Sequence, residues 1–247
     1  MTDAYRRALV ARFGAAEGYD AAARVQLRVV ETLLERIVGR FGGDGPGRIL
    51  EFGCGTGFLT AGLRRAFPEA EIVATDLSAE MVDRARVRVP DATFAVMDGE
   101  YPDIGGVFDL VCSSLCLQWF VDRQGGLERL GRLLRGGGPM MVTTLGEGSF
   151  REWREACAVA GVACGVPEYP ALRVLEGEWR DGGRWERAVF VDRPGSGLGF
   201  VRDLRRIGAS LPREGVRPAM DLRRAMRVFD KGERVVTYDV MFGELWK

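Results

Sequence analysis

Apolar residues recur with a helical period over Ala21–Phe41, where Val30, Leu33, Leu34, Ile37, Val38 and Phe41 share one face. The run stops in Gly42-Gly43-Asp44-Gly45-Pro46-Gly47, a turn-forming sequence. Beyond it, short apolar runs alternate with amphipathic ones. The pattern predicts strands at Arg48–Phe52, Glu71–Thr75, Thr93–Met97, Phe108–Cys112 and Met140–Thr144. Between them it predicts helices at Phe58–Phe67, Ala79–Val89 and Gly126–Leu134. Pro68 and Pro90 stop the first two of these helices, and Ser78 caps the second. Five strands alternating with helices imply a parallel, doubly wound α/β sheet. The last hundred residues are less regular. Strands predicted at Trp185–Val191 and Arg234–Phe242 are expected to join the same sheet, making it seven-stranded. Helices predicted at Phe150–Val162, Ala171–Trp179, Leu198–Ile207 and Met220–Phe229 are expected to cap its carboxyl edge. The expected organisation is an N-terminal helical lid (1–43), a ligand-binding core (44–146), and cap helices with the last two strands (147–247).

Composition narrows the chemistry. A length of 247 residues suits one domain with elaborations. No run approaches the ~20 apolar residues of a membrane span. The N-terminal MTDAYRRALVARFG has no apolar signal core, so a cytoplasmic protein is expected. The five cysteines (54, 112, 116, 157 and 164) form no CxxC, so neither a disulfide framework nor a metal site is expected. Histidine is absent, which excludes Ser-His-Asp and Cys-His machinery, histidine-ligated zinc and any imidazole base.

The first predicted strand runs into Glu51-Phe52-Gly53-Cys54-Gly55-Thr56-Gly57 and then a helix. Glycines at 53, 55 and 57 let the backbone turn sharply and approach a ligand closely. The first crossover of such a sheet is where nucleotides bind. A dinucleotide fingerprint would need a third glycine at Phe58 or Thr60, so that reading fits poorly. Glu51 beside the loop suits a ligand carrying an ammonium group. Asp76, 19 residues after Gly57, ends the second strand and can accept from both ribose hydroxyls. Asp98 ends the third strand, where an adenine edge would lie. Each acid alone has a plain alternative as a solvated strand end or helix cap; three at successive strand ends point to a ligand.

These residues resemble the class I S-adenosylmethionine-dependent methyltransferases, which share a Rossmann-like fold. The resemblance rests on ILEFGCGTG, ATDLS, MDGE, FDLVCSS and LLRGGGPMMVTT, over roughly Gly47–Leu145. It implies S-adenosylmethionine as cofactor. Gly53, Gly55 and Gly57 would wrap its methionine part with Glu51, and Asp76 and Leu77 would hold the ribose. Met97, Asp98 and Gly99 would meet adenine, and Ser113 would also bind the cofactor. Further stretches, FGAAEGYDAAARVQ, SSLCLQWF, TTLGEGSFREW and FVRDLRRIGA, resemble the malonyl-ACP O-methyltransferases of biotin synthesis.

That resemblance implies methyl transfer to the free carboxylate of a malonyl thioester on acyl carrier protein. The alternative is a small-molecule O-, N- or C-methyltransferase of quinone or secondary metabolism. A carboxylate is ionised near neutral pH and needs no base, which agrees with the missing histidine. The basic residue of the FVRDL stretch, Arg202, is expected to grip the carboxylate; otherwise it is a surface arginine bonded to Asp203 or a helix end. Trp119 is expected to wall the pocket, or else to pack in the core, and Tyr19 to belong to a lid, or else to pack. From Arg202 to Arg227 eight arginines stand against three acids, net +5, in a chain with 35 residues of each sign. That stretch is expected to dock the acidic carrier protein. Nucleic acid is not expected, because aromatic residues are few there. A monomer without nucleic-acid or membrane partners is expected.

Overall fold

The computed structural model describes residues 3–14, 18–179, 182–207 and 219–246. Two N-terminal helices, α1 (Asp3–Gly14) and α2 (Tyr19–Ala22), precede α3 (Arg24–Phe41). Then β1 (Arg48–Phe52), α4 (Phe58–Ala66), β2 (Glu71–Asp76), α5 (Ala79–Arg88) and β3 (Thr93–Val96) alternate. They are followed by β4 (Leu110–Ser113), a 3₁₀ turn at Leu117–Trp119, α6 (Arg123–Gly131) and β5 (Pro139–Leu145). The last part holds α7 (Arg151–Ala160), α8 (Leu172–Glu178), β6 (Gly182–Asp192), α9 (Gly197–Arg206), α10 (Ala219–Phe229) and β7 (Val236–Trp246).

One seven-stranded sheet runs in the order β3-β2-β1-β4-β5-β7-β6. Strands β1 to β5 pair in parallel, and β7 inserts antiparallel between β5 and β6. The two-residue period of a strand splits the core across its faces. Ile49 and Leu110 pack with Val29, Leu33 and Ile37 of α3 on one side. Leu50 and Val111 pack with Leu127 and Leu130 of α6 on the other. Short residues and caps set the ends. The Ser78 hydroxyl accepts from the Met81 N–H at the start of α5, and Asp122 accepts from the Gly125 N–H at the start of α6.

Several expectations shift, among them the helix predicted at Gly126–Leu134, which runs over Arg123–Gly131. The helix predicted from Ala21 is two helices, broken at Ala23 (φ −82°, ψ 33°), which lets Tyr19–Ala22 turn away from the axis of α3. The strand predicted from Phe108 starts at Leu110, with Phe108 making an isolated bridge to Leu134. The two late strands are eleven residues each, longer than predicted, because they pair with one another from Gly182–Trp246 to Asp192–Val236.

Candidate active site

The carboxyl ends of β1, β2 and β4 surround one cavity, roofed by α1 and α2 and closed behind by β7 and the turn after α9. The glycine loop leaves β1 with Gly53, Gly55 and Gly57 at φ of 65°, 54° and 83°, a region L-residues rarely adopt. The three glycines differ in purpose. A Cβ on Gly53 would lie 2.5 Å from Cys116 Sγ. One on Gly57 would lie 3.1 Å from Ala85, so this glycine serves the approach of α4 to α5 and does not line the cavity. One on Gly55 would meet only the Tyr19 hydroxyl, at 3.9 Å, across the void.

One buried and one partly buried carboxylate face this loop. Glu51 is 1% exposed and accepts from the Thr60 hydroxyl at 2.6 Å. Burial, with Asp76 nearby, pushes its pKa up to about 8 against the Thr60 hydrogen bond. Asp76 accepts from the Gly55 and Ser78 N–H groups at 2.9 Å each. Its pKa is raised by burial, and those backbone donors oppose the rise. Burial, then Asp76 and Asp20, push the Tyr19 hydroxyl up as well, so it stays a neutral donor.

Leu77, Met97, Asp98 and Gly99 also line the cavity. Ser113 does not: its hydroxyl donates to the Phe52 carbonyl at 2.6 Å and ties β4 to β1, while its neighbour Ser114 faces the void. Trp119 lines the cavity and meets Phe13 of α1 edge-on, with centroids 5.5 Å apart. Arg202 is not brought to the cavity. It is exposed, and its helix α9 turns Phe200, Val201 and Leu204 inward on the helical period, with Ile207 just beyond. Nor does it pair with Asp203, which holds Arg24 at 2.8 Å and Arg206 at 3.7 Å.

The second half of the cavity was not read from the sequence. It is formed by Gln26 and Val30 of α3, Leu145 of β5, Phe150, Tyr169 and Tyr238 of β7. Leu115 and Phe150 also line it, and both hold positive φ (53° and 59°) despite their side chains. The strain is held in place: the Leu115 N–H donates to Thr143 Oγ1 at 2.8 Å, and the Gln118 amide donates to the Leu115 carbonyl at 2.5 Å. Glu100, read only as part of MDGE, is fully buried and accepts from the Val121 and Asp122 N–H groups. It bolts the loop after β3 to the loop after β4. Among the described residues no group of His, Cys, Asp and Glu could hold a metal, and no helix is long and apolar enough to cross a membrane. None of the five cysteines is in a disulfide.

The cavity suits a nucleoside bearing a cationic amino-acid tail. Its glycine wall has no side chains to fill it, and the carboxylates of Glu51 and Asp76 line it. The fold and site define a class I, S-adenosylmethionine-dependent methyltransferase. Residues 49–138 match the family model described as a methyltransferase domain. The chain is 40% identical over 241 residues to a malonyl-[acyl-carrier protein] O-methyltransferase of Magnetococcus marinus, covering 94% of this chain and 89% of that one. It is 39% identical over 246 residues to a biotin biosynthesis bifunctional protein, BioCD, of Bordetella avium, covering 98% of this chain. It spans about half (52%) of that longer protein. The plantazolicin methyltransferase BpumL, solved with SAH, shares the fold at 17% identity and a TM-score of 0.53, covering 100% of this chain and 92% of that one. The chain belongs to the malonyl-[acyl-carrier protein] O-methyltransferase family.

Proposed function

We propose that this chain methylates the free carboxylate of a malonyl thioester carried on acyl carrier protein, giving the methyl ester that primes pimelate assembly for biotin. The observation that carries the reading is 40% identity over nearly the whole of a relative so named. The chain's chemistry is in keeping with it. No histidine is present, and a carboxylate needs no base. When bound, S-adenosylmethionine supplies an electrophilic methyl carbon, whose transfer to a carboxylate oxygen leaves a neutral thioether, so no proton has to move.

The protein's work is then binding, orientation and exclusion of water. In this reading Glu51 pairs with the ammonium group, Gly53 and Gly55 admit the methionine part, and Asp76 and Leu77 take the ribose. Met97, Asp98 and Gly99 border adenine. Trp119 and Tyr19 close the cavity over the reacting atoms, with residues 1–43 acting as lid, 44–146 as cofactor core and 147–247 as cap. Holding the reactants in line can contribute roughly 7–11 kcal/mol in favourable cases.

Carrier protein docks, in the same reading, on α9 and α10 and the segment joining them. Arg202, Arg205, Arg206, Arg223, Arg224 and Arg227 are exposed there, while Arg213 and Arg217 lie outside the described residues. Arg202 and Arg205 make no ion pair among the described residues, which leaves their forks available to an acidic helix. Incubation with labelled methyl donor and malonyl-carrier, with mass spectrometry of the carrier, tests the activity: a gain of one methyl group supports it, and an unmodified carrier overturns it.

A further inference from the structure

The cavity is larger than its cofactor half, and its other half is polar in an unusual way. Neither the Tyr238 hydroxyl nor the Gln26 amide makes a hydrogen bond to another described residue, yet Tyr238 is 6% exposed and Gln26 is only partly exposed. Both residues line the void, so these two unused donors are open to a ligand placed there. Their surroundings are apolar and aromatic. Tyr238 meets Phe150 edge-on at 4.8 Å, Phe150 meets Tyr169 at 6.0 Å, and Val30, Leu145 and Leu204 complete the wall.

Position separates this half from the cofactor. In the sheet order β7 stands three strands from β1, about 14 Å at the usual strand spacing. The acids suited to the cofactor, Glu51 and Asp76, sit on β1 and β2. The half built on β5, β7 and α3 is therefore left for the acceptor. Among the described residues that line it there is no arginine or lysine. Arg24, close enough to influence Tyr238, is spoken for: it bonds Asp192 through Nε and Nη2 at 3.1 and 2.8 Å and Asp203 at 2.8 Å.

We propose that Gln26 and Tyr238 hold the malonyl carboxylate as neutral hydrogen-bond donors, with no guanidinium of the described residues gripping it. The inference rests on the proposed carboxyl methylation and names the acceptor residues of that site. Its chemical sense lies in nucleophilicity. An arginine fork would engage both oxygens and draw off their charge. Two neutral donors fix the carboxylate's orientation and leave it an anion. Burial keeps the Tyr238 hydroxyl protonated, and Asp192 nearby acts in the same direction. The Arg24 network sets the place: Arg24 begins α3, Asp192 ends β6 and Asp203 lies on α9, so the pair of carboxylates joins the helix carrying Gln26 to the elements beside Tyr238.

The test uses Tyr238→Phe and Gln26→Leu in the full chain, with S-adenosylhomocysteine affinity measured by calorimetry and steady-state methylation measured on malonyl-carrier and malonyl-CoA. Each variant is expected to bind S-adenosylhomocysteine within about twofold of the parent, which also reports folding. Each is expected to raise KM for both malonyl substrates by about tenfold or more, the scale of one hydrogen bond to a charged group. Values of KM and kcat within twofold of the parent in both variants would overturn the assignment. So would Arg202→Ala losing activity on malonyl-CoA while these two variants keep it. Failure of the parent itself to methylate either malonyl substrate would overturn the proposed function, and this inference with it.

Discussion

Glu51 carries a cost of burial in the cofactor-free chain. Its pKa is pushed from an ordinary 4.5 up to about 8 by burial, with Asp76 adding to the rise. Between those values the folded chain holds a proton that the unfolded chain has released. Stability of the cofactor-free protein therefore falls as pH rises through that window. Glu51→Gln is expected to raise the melting temperature at pH 8 by a few degrees, at roughly 2–4 °C per kcal/mol for a chain of this size, and to leave it little changed at pH 4.5. A cation bound against Glu51 requires the ionised form. S-adenosylhomocysteine affinity should then rise from pH 6 towards pH 8 by up to about tenfold per unit. Calorimetry across that range checks it; a flat profile, or one that Glu51→Gln leaves unaltered, would count against it. Gly53 gives a second prediction at this scale. Gly53→Ala combines a φ of 65° with a Cβ 2.5 Å from Cys116 Sγ. It should cost about 1–3 kcal/mol of stability, seen in thermal or urea melts, and weaken the cofactor.

At the scale of elements, α2 has four residues and no side-chain cap, too short to hold itself in place. Asp20 does that work. It accepts from Thr56 Oγ1 at 2.8 Å, inside the glycine loop, and pairs with Arg88 at the end of α5. Arg88 in turn donates to the Thr56 carbonyl at 2.7 Å and lies over the Phe58 ring at 4.1 Å. One carboxylate thus joins lid, loop and α5, and sets Tyr19 across the cavity from Gly55. Asp20→Ala should weaken S-adenosylhomocysteine binding by about three- to tenfold, the scale of one net hydrogen bond, through a faster off-rate in stopped-flow. Unchanged dissociation would mean that α2 closes without this contact. The sequence showed the FGAAEGYD stretch but not the latch, because Asp20 and its partners lie 36 and 68 residues apart.

At the scale of the whole molecule, charge is balanced in sum and uneven in place. Helices α9 and α10 carry six exposed arginines, in a chain of 35 positive and 35 negative groups. Methylation of malonyl-carrier should therefore slow as salt rises from about 50 to 500 mM, because screening shortens the reach of these charges. Malonyl-CoA methylation should change less. Arg202→Ala should raise KM for the carrier substrate severalfold and flatten its salt dependence, with little effect on malonyl-CoA. An identical salt response for the two substrates would remove the docking role.

The sequence by itself determined the alternating core, the glycine loop and the acids at three strand ends. Those signals are local: strand period, helix period, turn chemistry and spacing within one crossover. It also determined that the chemistry proceeds without imidazole. Tertiary structure decided what depends on distant pairing. It placed β7 between β5 and β6, so that Tyr238 faces Gln26's helix. It turned Arg202 outward, since the helical period buries Phe200, Val201 and Leu204 instead. It assigned Gly57 and Ser113 to packing and strand ties, and built the second half of the cavity from α3, β5, the loops around Phe150 and Tyr169, and β7. No spacing rule joins residues 26 and 238, because their meeting depends on the order in which the strands pair rather than on the order in which they occur.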